Sequence, residues 1–213
     1  MNSEYLRSKL TQLETVEGQI LKCTTCKLCE TRTHAVPGEG PLNPDLMFIG
    51  EAPGFHEDKH GRPFIGAAGQ LLEHLMASVG LSREEVYITN IVKCRPPNNR
   101  DPNSIEIHSC NPYLEQQIEI TQPAIIVTLG RFSFNHFFPS ETISKSHGQI
   151  LAWKTRSIYP MYHPAAALHQ PKMRIYLEED ISKLPDLLAK SRIQISIEPA
   201  GPSPEPDAQP RLF

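Results

Sequence analysis

No apolar run in the 213-residue sequence reaches the roughly 18 residues that a membrane-crossing helix needs. No signal-peptide pattern opens the chain either, so a soluble cytoplasmic protein is expected, monomeric by default. Positive charge is also scarce. The 21 Lys and Arg stand against 24 Asp and Glu, a net charge of −3, which excludes a protein that coats nucleic acid through bulk positive charge. An enzyme whose basic groups are gathered in one groove remains open. The H-x-E and P-C-x-x-C pairing on which zinc-dependent base deaminases rely is missing, and that class is set aside. No internal repeat is visible. Apolar content is low at 39%, diluted by a stretch from about Glu198 to Pro210 rich in Pro, Ala, Gly and acidic residues. Such a composition cannot bury enough apolar surface to order itself. Residues 1–192 are therefore expected to form one domain and residues 193–213 a disordered tail.

What is present is an alternation of strands and helices. Short apolar runs over 45–50, 86–92, 124–130 and 157–162 read as four buried strands. Leu6, Leu10, Leu13, Val16 and Ile20 recur at helical spacing over 3–22, and similar patterns cover 67–79, 104–120 and 175–188. This order predicts an α/β fold with a parallel sheet covered on both faces. Ligands of such sheets bind beyond the carboxyl ends of the strands, which points to the loops after Gly50, Val92, Gly130 and Tyr162.

Five cysteines in a reducing compartment imply metal chemistry or plain burial rather than disulfides. Cys23, Cys26 and Cys29 form a C-x2-C-x2-C run after the first helix; Cys94 follows the second strand, and Cys110 lies sixteen positions on. Thiolates so spaced suit a 4Fe–4S cluster or a structural zinc, and spacing does not separate the two. Five candidates for four positions leave one to spare.

The predicted rim carries its own chemistry. The first strand ends in Gly50-Glu51-Ala52-Pro53-Gly54, a rigid turn around a carboxylate, followed by a second acidic pair that includes Glu57. Phe64 stands between glycines ahead of a helix, either as core or as a platform for a flat ligand. Asn90 interrupts an apolar strand, where an unpaired amide is costly, so it is bonded to backbone or presented to a ligand. Lys93, Arg95 and Arg100 give the following loop local positive charge suited to phosphates. His163, stiffened by Pro164, projects toward the same rim. The convergence of Glu51, Asn90 and His163 is the pattern of an active site.

These segments together resemble a known family. GEAPGFHED, GRPFIGAAGQLL, YITNIVKCRPPNNRDP and YHPAAAL, with the CTTC pair ahead of them, are similar to the family-4 uracil-DNA glycosylases from about Cys23 to Leu188. The resemblance implies a three-layer αβα fold around a four-stranded parallel sheet. It implies a structural 4Fe–4S cluster held by Cys23, Cys26, Cys94 and Cys110, with Cys29 spare, bracing the loop of Lys93 and Arg95 against uracil-containing DNA. A flipped uracil would stack on Phe64, bond Asn90 and lie against Gly50 and Ala52, with Glu57 closing the pocket. His163 would stabilise charge on the departing base, Glu51 would hold or polarise water, and Leu168 would wedge into the duplex. Ala52 stands where a related family carries Asp, so no strong general base is expected there. His169-Gln170 depart from the residues usual after HPAAAL. A related iron–sulfur group thought to react covalently carries an inserted basic loop with a His after the second strand. The segment 94–101 is short and has none, which favours hydrolysis over a covalent route, while intact Glu51, Asn90 and His163 argue against a catalytically silent DNA-binding or electron-transfer module. Finally, Gln209, Leu212 and Phe213 form a Q-x-x-L-F ending similar to peptides that dock bacterial repair proteins on the sliding clamp, which would place the enzyme at the nucleoid.

Overall fold

The computed structural model describes residues 3–197, so the predicted tail peptide with Gln209, Leu212 and Phe213 lies outside the described residues. The predicted domain boundary at 192 falls inside a helix. In chain order the elements are α1 (Ser3–Leu21), β1 (Leu46–Gly50), α2 (Phe55–His60), α3 (Ala67–Ser78), β2 (Val86–Asn90), α4 (Ser104–Thr121) and β3 (Ile125–Leu129). They continue with α5 (Arg131–Phe137), α6 (Ile143–Ser146), β4 (Leu151–Trp153), β5 (Arg156–Met161), α7 (Pro164–Ala167), α8 (Pro171–Ser182) and α9 (Leu184–Ile197). Among the described residues no helix is long and apolar enough to cross a membrane.

The sheet has five strands in the order β2-β1-β3-β5-β4, which corrects the expected four. The first four are mutually parallel, and β4 adds an antiparallel edge to β5. Three residues, two of them only half-buried, are too few to register as an apolar run, and β4 escaped the sequence reading for that reason. The tight turn between the two strands passes through Lys154 at φ 52°.

Alternation along the strands divides the core into two layers. Leu46, Phe48, Val86, Ile88, Ile125, Val127, Tyr159 and Met161 face α3, α8 and α9, where Leu72, Leu75, Met76, Leu177 and Ile181 meet them. Met47, Ile49, Tyr87, Ile126 and Ile158 face α1 and α4 through Leu13, Val16, Ile20, Leu114 and Ile118. The three-layer αβα arrangement follows. Two helix expectations shift. Leu10 is exposed and the half-turn before it buries Lys9 against Asn43, so only the second half of α1 packs as predicted. The pattern over 175–188 is two helices that meet at Lys183, each opened by a proline in its first turn.

The loop before α3 is pressed against that helix. A Cβ on Gly69 would lie 1.8 Å from the Phe64 carbonyl oxygen, inside any tolerable contact. Gly69→Ala is expected to cost about 1–3 kcal/mol, the range for overpacking a tight contact. Urea unfolding at neutral pH measures this; a loss below about 0.5 kcal/mol would show that the loop retreats freely.

Candidate active site

Parallel register aligns Gly50 with Asn90, and β5 brings Met161 beside Leu129. The residues that follow these strand ends therefore share one rim. Glu51, Ala52, Pro53, Gly54, Asn90 and His163, with Glu57 and Phe64, line a pocket of about 280 Å³. That is just below the roughly 300–1,000 Å³ typical of drug-sized ligands and suits a single flat ring.

Asn90 is 2% exposed, and its Oδ1 has no hydrogen-bond partner among the described residues. Burying an amide oxygen without a partner costs about 1–3 kcal/mol. A structural role does not repay that cost, whereas a ligand N–H does. A Cβ on Gly50 would sit 2.4 Å from this oxygen and 2.5 Å from the Phe64 ring, so glycine is what lets both groups reach the floor of the pocket.

Phe64 adopts φ 51°, a left-handed conformation unfavourable for a side chain of this size. Its neighbours hold it there. Glu57 accepts the N–H groups of Ile65 and Gly66 at 2.9 and 2.8 Å, and that of Gly54 at 3.1 Å. Arg83 donates to the Phe64 carbonyl at 3.1 Å and is itself paired with Glu39 and Glu73. Glu57 thus ties the β1 turn to the Phe64 loop. The Phe64 and His163 rings lie 5.7 Å apart at 31°.

Two titratable groups in the pocket are driven toward neutrality. Burial raises the Glu51 carboxyl to about 7; Asp101 reinforces the shift and Arg131 opposes it. Burial lowers His163 to about 4 against the pull of Glu57. The His163 Nδ1 accepts the Ala165 N–H at 3.1 Å, so the neutral ring carries its proton on Nε2.

The basic residues expected at the DNA divide. Lys93 is 1% exposed, which overturns its reading as a phosphate contact. Its ammonium donates to Thr89 Oγ1, the Asn90 carbonyl and Gln117 Oε1, each at 2.7 Å, and burial lowers its pKa to about 7. Lys93 braces the strand end that presents Asn90; its apolar neighbours Val92 and Cys94 were the signal that it points inward. Arg100 lies at the pocket wall but is bound by two hydrogen bonds, 2.9 and 2.6 Å, to the buried carboxylate of Glu106. Freeing it would leave that carboxylate with the Asn103 N–H as its remaining partner. Arg95 is held by Asn99 and stacks 5.2 Å over Phe55. Sequence reasoning passed over Arg131, whose partner Asp101 is as exposed as itself. Such a pair contributes about 0–1 kcal/mol. Leu168 is 43% exposed just past Ala165, at the pocket edge.

All five cysteines are free, and Cys94 and Cys110 are buried. Cys26 lies within electrostatic reach of Cys23, Cys94 and Cys110. Arg32 donates to Cys94 Sγ at 3.1 Å, and the Lys93 N–H donates to Cys110 Sγ at 3.4 Å. Among the described residues no three His, Cys, Asp or Glu side chains stand close enough to hold one metal ion.

The fold and this rim point to a protein that binds a single base-sized ring at the carboxyl edge of a parallel sheet. Residues 37–184 match the family model of the Uracil DNA glycosylase superfamily, and the chain belongs to that superfamily. Within it the chain groups with the type-4 members. It is 50% identical over 185 residues to the Type-4 uracil-DNA glycosylase of Sulfurisphaera tokodaii, covering 82% of this chain and 84% of that protein. It is 48% identical over 193 residues to that of Saccharolobus solfataricus, covering 86% and 89%. To that of Thermotoga maritima it is 41% identical over 191 residues, covering 87% and 98%.

Glu51 has a consequence for stability. Its carboxyl ordinarily titrates at 4.5 and in the fold at about 7, so the folded state holds the extra proton between these values. Its neutral form is accommodated at low pH, and stability is lost as pH rises through 7. Glu51→Gln is therefore expected to exceed the wild type at pH 8 by about 1–2 kcal/mol after discounting for solvent screening, with the gap shrinking toward pH 5. Chemical unfolding at the two pH values decides; a variant weaker than the wild type at pH 8 would mean the carboxylate has a stabilising partner.

Proposed function

We propose that this protein is a uracil-DNA glycosylase that hydrolyses the N-glycosidic bond of deoxyuridine in DNA and leaves an abasic site. The observation that carries this reading is the unpaired Asn90 carbonyl, buried in a ring-sized pocket that His163 also lines. Uracil offers an N3–H donor to Asn90 Oδ1 and an O4 acceptor to its amide N–H. The base must leave the stack to reach the pocket. Phe64, fixed by Glu57 and Arg83, supplies the stacking surface, and Gly50 and Ala52 admit the ring. Leu168 fills the gap left in the duplex.

Bond cleavage places electrons on the departing uracil and positive character on the sugar. His163, neutral with its proton on Nε2, donates a hydrogen bond to the developing oxyanion, a preorganised stabilisation of the kind that contributes most in water-poor sites. Glu51, ionised above about pH 7, holds the attacking water and stabilises the sugar cation. The expected rate of uracil release therefore rises as pH climbs through 7.

The thiols fit an iron–sulfur cluster. Cys23, Cys26, Cys94 and Cys110 surround one region without converging on a single ion, and Arg32 and the Lys93 N–H offset thiolate charge. A 4Fe–4S cluster bound there would cross-link the end of α1, α4 and the loop after β2. Cys29 is the spare. The Q-x-x-L-F ending at Gln209, Leu212 and Phe213 extends the proposal to docking on a sliding clamp, the tail acting as tether.

Incubation with an oligonucleotide containing one uracil, followed by alkali, tests the activity. Strand breakage is expected at uracil and at neither cytosine nor thymine, with His163→Ala and Asn90→Ala each slower by about 10²–10³-fold, the range for losing one such donor. Breakage at equal rates in both variants would remove them from the site. For the cluster, Cys110→Ser is expected to lose bound iron and visible absorbance while Cys29→Ser keeps both; the reverse result would reassign the ligand set.

A further inference from the structure

The cations expected to meet the DNA backbone are mostly committed elsewhere. Lys93 is buried in the core and Arg100 neutralises buried Glu106, while Arg95 is held by Asn99 beneath the loop. Arg131 differs. It opens α5 directly after β3, on the rim that carries His163, and its guanidinium lies 4.3 Å over the Phe132 ring, with 65% of the side chain exposed. Gly130 ahead of it touches His163, whose Cβ would be 3.0 Å from a side chain there. Its ion-pair partner is Asp101, 62% exposed, on the loop whose Pro96, Asn99 and Arg100 wall the pocket. Both charges act on Glu51, which lines the pocket, and Asp101 directly follows Arg100 in its wall. An ion pair between two exposed side chains is too weak to serve the fold. It does keep a cation beside the pocket in a defined position.

We infer that Arg131 is the phosphate anchor for the nucleotide entering the pocket, and that Asp101 is a stand-in for that phosphate, displaced when DNA binds. This inference rests on the DNA-glycosylase reading above. The exchange replaces one exposed anion on Arg131 with another, so it requires no new buried charge. A phosphodiester also offers two oxygens to the guanidinium fork, as the carboxylate does. Asp101, once displaced, repels the same phosphate, so it opposes binding in the free enzyme and sets how tightly DNA is held.

The two partners then predict opposite effects. With a short single-stranded oligonucleotide carrying one uracil, Arg131→Ala is expected to raise KM about 10-fold, with the smaller part of the loss in kcat. The slope of log KM against log salt should fall by about 0.7, the contribution of one phosphate contact to a single strand. Arg131→Lys should restore most of that slope. Asp101→Asn, which frees Arg131, is expected to lower KM about three-fold or more. A strap that merely holds the loop would make both variants worse alike, and that result overturns the inference, as does Arg131→Ala with wild-type KM and slope. Thermal melts confirm that each variant is folded, as the exposure of both side chains leads one to expect. If the wild type releases no uracil, the underlying reading falls and this inference with it. If the wild type is active while the variants fail to diverge, only this inference falls.

Discussion

Gly50 and Asn90 sit side by side because β1 and β2 run parallel with an unbroken register from Leu46 and Val86 onward. Almost everything at the rim follows from that pairing. A one-residue slip would turn Asn90 to the other face of the sheet and carry its apolar neighbours with it. The glycine permits the amide and the Phe64 ring to occupy the space a Cβ would fill. Lys93 braces the end of β2 from inside the core, its ammonium binding both the Asn90 carbonyl and Thr89.

The pocket is expensive for the fold. It buries an amide oxygen without a partner, a carboxyl driven toward neutrality, an imidazole that resists protonation and a phenylalanine in a left-handed backbone. The unpaired amide oxygen and the left-handed phenylalanine each cost on the order of 1–3 kcal/mol against a total stability of roughly 5–15 kcal/mol. The structure sustains these costs with satisfied charges nearby. Glu57 takes three backbone N–H groups, and Arg83 joins Glu39, Glu73 and the Phe64 carbonyl. Glu106 serves both Arg100 and the Asn103 capping box. Of the buried polar atoms left without a partner among the described residues, the Asn90 Oδ1 is the one at the pocket.

This economy explains how a chain of net charge −3 can address a polyanion. Several cations that sequence inspection offers to DNA are consumed in holding loops. Recognition therefore depends on few exposed charges and on a pocket that discriminates by hydrogen-bond pattern. The cysteine region lies on the α1 and α4 side of the sheet, where Cys94 and Cys110 belong to the same apolar layer as Leu114 and Ile118.

Strand alternation, the sites of Glu51, Phe64, Asn90 and His163, and the grouping of the cysteines were legible in the sequence because each depends on local pattern: period, turn chemistry and spacing. Short elements were not. β4, α2, α5, α6 and α7 span too few residues for periodicity to show. Lys93 and Arg131 mark the deeper limit. Both are basic residues beside a strand end, yet the sequence pattern sent Lys93 to a phosphate and passed over Arg131. Which one is buried and which is exposed depends on long-range neighbours, Gln117 for the first and Asp101 for the second. The sequence by itself determined the layers, the rim and the residues that gather there. Only the tertiary structure decided the charge state of Glu51 and His163 and the direction each cation points, because desolvation and pairing are properties of surroundings assembled from distant parts of the chain.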